Sequence, residues 1–383
     1  MSQLESIEEP SLDQSRQRKA KEYARIRLRL SLSELTMAAI LLLLLVFGGL
    51  SQKLAALLTF PVVPEAIVYM VIMLVAWGAL TAPLSYYSGF ILPHRYGLSI
   101  QKFTGWLADA LKGRGLGLVL AAGLTALVYW FISDFPRLWW LLTWGAIIIV
   151  GLIIAHLAPI IIVPIFLKMK PLSDPDLKLR LEQLAQRAGI KMRGVYTLEV
   201  SRKGTTANAA LMGLGNTRRI ALTDTLLQQY SSAEIEVIVA HEMGHHRHGD
   251  IPRSLVMQAA TWLVGLYLIG LALNATATPL GFNGISDVAA LPLLVLIAAA
   301  FSLLIAPFSN THQRHLEAAA DDYALRLTDN PQSFISMMTK LTDQNLSDAQ
   351  PSRWKEILMY DHPSYSRRVE YARHYAKHRS EGG

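Results

Sequence analysis

Apolar residues in this chain fall into long uninterrupted blocks separated by polar, charged segments. Six runs with few or no charges stand out, at roughly 34 to 50, 66 to 83, 115 to 133, 138 to 167, 254 to 274 and 287 to 308. A helix needs about 20 apolar residues to cross the hydrocarbon core, so each run predicts a membrane span. The fourth run exceeds what a bilayer requires and holds Pro159 and Pro164. A kinked or protruding helix is expected there.

The polar segments carry shorter periods. Asp174 to Ala188 has the charge and Leu spacing of an amphipathic helix, and Val195 to Val200 alternates like a strand. Thr206 to Met212 and Arg219 to Thr223 read as two more strands, with Gly213 and Gly215 as turn residues between them. A small sheet follows. Ser231 with Glu234 three residues on is a capping box, and it starts a helix that stops near Gly249. Beyond the sixth run, the Asn310-Thr311 start and Ala-rich composition predict a helix closed by Pro331. A further helical piece lies around Phe334 to Leu341, followed by the turn Asp361-His362-Pro363 and a basic end.

The expected organisation is a mainly α-helical polytopic membrane protein of about six spans with a small extramembrane α+β domain. The segments are a polar tail (1–33), four spans with a loop at 84–114 (34–168), a soluble segment (169–253), two spans (254–308) and a C-terminal segment (309–383).

Composition supports this reading. Of 383 residues, 52% are hydrophobic and only 17% charged, against about 25% charged in an ordinary soluble domain. There are no cysteines. A disulfide framework and a thiolate metal site are therefore excluded, and any metal must be held by His and carboxylate. The formal charge of +7 sits in Lys and Arg beside the apolar runs, which is the pattern of membrane topology and not of nucleic-acid binding.

The tail (with Arg16, Lys19 and Arg25), the 84–114 loop, the 168–253 segment and the C-terminal segment hold nearly all the basic residues, whereas the loops 51–65, 134–137 and 275–286 hold only Lys53 and Arg137. With six spans, the basic segments share one side, which the positive-inside rule makes cytoplasmic. The expected address is the bacterial inner membrane, with both termini and the soluble segments cytoplasmic. The polar first 33 residues carry no cleavable signal pattern.

Candidate chemistry centres on His241-Glu242-Met243-Gly244-His245, an HExxH pattern. Residues four apart share a helix face, so His241 and His245 can present imidazole nitrogens to one metal ion while Glu242 points at its open position. The alternative is a surface helix with two solvated histidines. Against it, Val237, Ile238, Val239 and Ala240 precede the pattern, and burying imidazoles and a carboxylate without partners is costly.

Catalytic zinc keeps three protein ligands. The residues after His245 lack the spacing of a third histidine ligand. Glu317, an acid in an Ala-rich helix, is the natural candidate, with Asp321 one turn on along the same face. Asp321 is placed to accept the other ring N–H of a ligating histidine. Those parts make a hydrolase, with zinc-activated water and Glu242 as general base. His156, inside the fourth run, either faces a water-filled cavity or is bonded neutral within the bundle.

Several stretches together resemble the integral-membrane zinc metallopeptidases that include the type I CAAX prenyl endopeptidases. They are Gly89-Phe90-Ile91-Leu92-Pro93-His94-Arg95-Tyr96-Gly97-Leu98-Ser99; Asn208-Ala209-Ala210 with Gly213; Arg219 to Leu227; the HExGH helix; Arg314-His315-Leu316-Glu317-Ala318-Ala319-Ala320-Asp321; and Asp361-His362-Pro363-Ser364 with Arg368. They cover roughly residues 60 to 375.

The resemblance implies a zincin-like endopeptidase with one Zn2+ on His241, His245 and Glu317 and with Glu242 as base. It also implies that the Asn208-Ala209 strand edge receives substrate by β-addition. His362 and Arg368 resemble the family's His and Arg that assist the oxyanion or hold substrate. Gln313 stands where the family has Ser, and six spans are counted against the family's seven.

The expected partners are a polypeptide substrate, membrane-associated or unfolded, and the lipid bilayer. A heat-shock-type membrane quality-control protease is the alternative within the same chemistry. A non-catalytic scaffold or transporter with a vestigial metal site is the alternative from another class, and it would carry paired charges or broken repeats in its spans.

Overall fold

The computed structural model describes residues 11–212 and 219–382. Gly213 and Gly215, expected as turn residues, lie outside them.

Among the described residues, six helices are long and apolar enough to cross a membrane. The first, α1, runs unbroken from Gln14 to Phe47, with Asp13 capping its N-terminus. The basic residues expected in a tail are thus the first turns of the spanning helix, which Gly48 ends. After the short α2 (Leu50–Ala55) comes α3 (Val62–Tyr86), which passes through a π-helical turn at Tyr87–Ile91 into α4 (Leu92–Arg95). The third span is α5 (Phe103–Asp134).

The fourth span, α6 (Trp139–Leu157), meets the expected irregularity as a π turn at Ala158–Ile162 before α7 (Val163–Phe166). Pro159 and Pro164 explain it. Neither has an N–H to donate, and the wider turn accommodates the carbonyls left without a partner. His156, just ahead of this turn, is exposed.

The soluble segment opens with β1 (Met169–Pro171), a strand that sequence pattern did not mark, and α8 (Pro175–Arg187) capped by Asp174. Then come β2 (Val195–Leu198), β3 (Ala209–Met212) and β4 (Arg219–Thr223). The sheet order is β1-β2-β4-β3, with β2 parallel to β4 and the other pairs antiparallel. This order leaves β3 on the edge. β3 is shorter than the expected Thr206 to Met212 because the chain before it bonds elsewhere: Thr205 N donates to Leu98 O and Ala207 N to Asn345 Oδ1.

After α9 (Asp224–Gln229) comes α10 (Ser232–His248), opened by the Ser231–Glu234 capping box in both directions. Gly249, at φ 68°, ends it in the left-handed conformation that suits glycine. The fifth span, α11 (Asp250–Thr276), starts at the next residue.

The sixth span and the following helix are one element, α12 (Leu291–Thr328). The Asn310-Thr311 pair does not begin a new helix. Thr311 Oγ1 bonds back to Pro307 O, and Asn310 Nδ2 donates outward to Leu358 O. The chain ends in α13 (Pro331–Gln344), α14 (Arg353–Met359) and α15 (Tyr365–Gly382).

Two cores result. Leu181, Leu184, Leu222, Val237, Val239 and Phe334 form the core of the soluble part, between sheet and helices. Val46, Tyr69, Tyr129, Trp139, Leu273 and Phe282 gather the spans at their other end, where Ser51 Oγ also bonds Tyr69 OH at 2.7 Å. The outer faces of the spans stay apolar and exposed, as helices in lipid should.

α10 and α12 touch at Gly244. A Cβ there would lie 3.0 Å from Ala320 Cα and 3.2 Å from Ala320 O, and these are backbone atoms that cannot rotate away. Gly244→Ala is therefore expected to force the helices apart and destabilise the protein by about 1–3 kcal/mol. Thermal unfolding in detergent checks this; an unchanged midpoint would mean that the contact has slack.

Candidate metal centre

The α10–α12 contact brings His241, His245 and Glu317 together, with one ligand atom from each lying within 4.8 Å of the others. His241 Nε2 is 3.3 Å from Glu317 Oε2, and His245 Nε2 is 3.3 Å from Glu317 Oε1. These distances are longer than a good N–H···O bond. They are close to the edge of a tetrahedron, about 3.4 Å, for donors about 2.0–2.1 Å from a central zinc. Glu317 Oε2 is buried and makes no hydrogen bond. The donor set, its spacing and that unpartnered oxygen fit a divalent ion of zinc type.

Each imidazole has a carboxylate behind its Nδ1, and only that of His245 is hydrogen-bonded. His241 Nδ1 lies 2.9 Å from Asp321 Oδ1. Asp321 is itself held by Arg368, which donates from Nε at 2.7 Å and also from its terminal nitrogen. This fork on a buried carboxylate is where the guanidinium of Arg368 is engaged. His245 Nδ1 pairs with Asp250 Oδ2 at 2.9 Å.

Asp250 escaped sequence reasoning because five residues along a continuous helix would not face His245. The left-handed turn at Gly249 folds the first turn of α11 back against it. The available signal was an acid directly after a helix-stopping glycine.

Glu242 reaches the other side of the centre, where its Oε2 accepts from Leu211 N at 3.3 Å. That N–H belongs to the free edge of β3. Asn208 O accepts from Thr223 N, so residues 208, 210 and 212 bond β4 while 209 and 211 turn their peptide groups outward. Asn208 Oδ1 accepts from Ala209 N at 2.9 Å. The edge stops at Ala207, whose N–H and C=O are both taken by the side chain of Asn345. Asn345, also missed from sequence, bounds the edge on that side, and among the described residues Ala209 and Leu211 are the open positions.

His362 comes from the turn before α15 and lies half-exposed, its Nε2 3.3 Å from Glu317 Oε1 and its Nδ1 2.7 Å from Asp361 Oδ1.

A cavity of about 390 Å³ opens beside Glu242 and His245. A larger one, about 520 Å³, lies between the spans and is lined by apolar groups such as Trp139, Ile269 and Phe301. Ser254, Gln258 and Gln313 border both.

The arrangement is that of a metalloprotease assembled at a membrane face. The chain belongs to peptidase family M48: residues 171–376 match the model of that family, and residues 5–168 match the model described as CAAX prenyl protease N-terminal, five membrane helices. Among the described residues before 168, this chain has four candidate spans.

An uncharacterized metalloprotease, YhfN of Bacillus subtilis (strain 168), is 30% identical over 296 residues, covering 76% of this chain and 69% of that protein. A probable CAAX prenyl protease 1 of Schizosaccharomyces pombe is 26% identical over 284 residues, covering 73% of this chain and 60% of its own length. The fold is that of the crystal structure of S. mikatae Ste24p, with a TM-score of 0.84 at 21% identity over 94% of this chain and 90% of that one. The protein is therefore an integral, multi-pass, metal-dependent peptidase.

Burial pushes the His241 imidazolium down, but the neighbouring carboxylates of Asp321 and Glu317 outweigh this and raise its pKa from 6.5 to about 9. Burial also opposes charge on His245, and Glu317 raises that ring as well.

After chelation, the raised His241 pKa contributes stability that is complete below pH 6.5 and is lost as the pH rises through about 9. The melting temperature of metal-stripped protein should fall across that window. That of metal-loaded protein should not, because the ion takes the proton's place. Parallel pH profiles for the two forms would contradict this account of His241.

Proposed function

We propose that the chain is a zinc endopeptidase that cleaves membrane-associated or unfolded polypeptides at the cytoplasmic face of the bilayer. The observation that carries the reading is the convergence of His241, His245 and Glu317, each histidine Nε2 3.3 Å from one oxygen of the Glu317 carboxylate, with Glu242 beside them accepting from the free edge of β3.

In this reading His241 and His245 bind through Nε2 and Glu317 through its carboxylate. A zinc ion bound there would supply Lewis acidity, polarising the scissile carbonyl and lowering the pKa of water towards about 7. Glu242 takes the proton of the attacking water and returns it to the leaving amine nitrogen. Substrate adds to the outer edge of β3 at Ala209 and Leu211, displacing the contacts that Asn208 and Glu242 make there. His362, beside Glu317 at the mouth of the site, donates to the developing oxyanion. Asp321 fixes the His241 ring, and Arg368 keeps Asp321 ionised and in place.

The adjoining apolar cavity favours substrates with a membrane-embedded or lipid-like portion over fully soluble peptides. An even number of spans before the site puts the basic start of α1 on the same side as the site, and that charge makes the side cytoplasmic. A bacterial inner membrane suits this topology.

Glu242→Gln should retain stoichiometric zinc and lose about 10²–10⁴-fold in cleavage of an unstructured reporter. Glu317→Ala should lose the metal as well. Metal analysis and a cleavage assay on the detergent-purified protein decide it. Equal cleavage by wild type and Glu242→Gln would remove Glu242 as base, and full zinc in Glu317→Ala would remove the third ligand.

A further inference from the structure

Large apolar side chains are scarce on the exposed surface of the two segments that build the metal centre, with one exception. Among the described residues of 168–249 and 329–379, the exposed ones are Leu179, Tyr371 and a group of four on α14 alone: Trp354 (52%), Ile357 (42%), Leu358 (48%) and Met359 (47%). Trp354, Ile357 and Leu358 are spaced i, i+3, i+4 and form one stripe. The opposite face is polar and engaged with the protein. Glu356 is buried and accepts from Ser364 N and pairs with Arg367. Arg353 is exposed, and Lys355 lies with its ammonium over the Trp354 ring.

α14 is also fixed in height relative to the bilayer. From Leu291 to Phe308, α12 rises about 26 Å, close to the ~30 Å of a hydrocarbon core. The membrane border on the side of the metal centre therefore falls near Phe308 to Asn310. Leu304 and Phe308 are the last bare apolar side chains of the span, at 72% and 73% exposed. Immediately beyond them, Asn310 Nδ2 holds Leu358 O at 2.8 Å, and Arg314 donates to Glu356 O at 2.7 Å and Tyr360 O at 2.6 Å. The apolar stripe of α14 thus continues the lipid-facing surface of α12 at the level where hydrocarbon gives way to headgroups.

We propose that α14 is an interfacial helix. It lies in the plane of the leaflet on the side of the metal centre, with Trp354, Ile357 and Leu358 in the acyl–headgroup boundary and Arg353 and Lys355 at the lipid phosphates. Its occupant is the bilayer that the chain already spans. Because Arg314 bonds α14 one turn before Glu317, the lipid contact and the ligand helix form a rigid unit, and the His362 turn hangs from its end.

The chain has no cysteine, so a single substitution gives a unique label site. Leu358→Cys carrying a nitroxide is reconstituted, as the full-length protein, into phosphatidylcholine–phosphatidylglycerol liposomes. Its collision rates with oxygen and with a water-soluble nickel chelate are then read by power-saturation EPR. Ser347→Cys, at an exposed position of the C-terminal segment, is the aqueous reference, and Trp354→Cys is the second stripe position should Leu358→Cys fail to fold.

The expected result is nickel accessibility several-fold below that of Ser347→Cys, with high oxygen accessibility, at both stripe positions, and aqueous behaviour at Arg353→Cys. Nickel accessibility equal to the Ser347 reference would overturn the proposal, because the stripe would be in water. Protection from both reagents would overturn it as well, because a second copy or a polypeptide would cover the stripe instead of lipid.

Discussion

The contact between α10 and α12 at Gly244 is the constraint on which the rest depends. A pair of helices separated by a glycine brings two imidazoles against two carboxylates, and Glu317 and Asp321 are both buried there. Buried carboxylates are tolerable only with counter-charges or a metal. Asp321 has Arg368 and His241, whereas Glu317 has the two histidines and an oxygen that nothing bonds. The close packing thus creates an electrostatic demand that a divalent cation meets.

α12 carries that demand into the membrane. One continuous helix holds lipid-facing side chains at its start and the third candidate ligand near its end, so the orientation of Glu317 is tied to how α12 sits among the spans. The spans pack at the end remote from the metal centre, through Tyr69, Tyr129 and Trp139, and leave the apolar cavity nearer the site. In the proposed function, that cavity would take the hydrophobic portion of a polypeptide whose backbone pairs with the short free edge of β3. Asn345, the residue that follows α13, closes that edge at Ala207, so in the proposed β-addition it sets where substrate pairing stops on that side.

Much of this was legible in the sequence because it rests on strong local rules. Six apolar runs marked six spans, Ser231 and Glu234 marked the start of α10, Gly249 marked its end, and Pro159 with Pro164 marked an irregularity that takes the form of a π turn. Where reading failed, long-range partners decided the outcome. Asn310 and Thr311 look like a helix start, but their side chains bond Leu358 and the preceding turn while the helix passes through. β1 is three residues long and exists only by pairing with β2. Asp250 and Asn345 act across chain reversals that no periodicity reports, and a lone Arg368 in a basic tail gives no sign that it holds a buried Asp.

The proposed inner sphere of the metal is two imidazoles and one carboxylate, with His362 outside it even though its Nε2 is as near to Glu317 as those of the two α10 histidines. X-ray absorption at the zinc edge of the purified wild-type protein tests this most directly. The account predicts a shell of nitrogen and oxygen at about 2.0–2.1 Å with multiple scattering from two imidazole rings. Scattering from three rings, or from one, would contradict it.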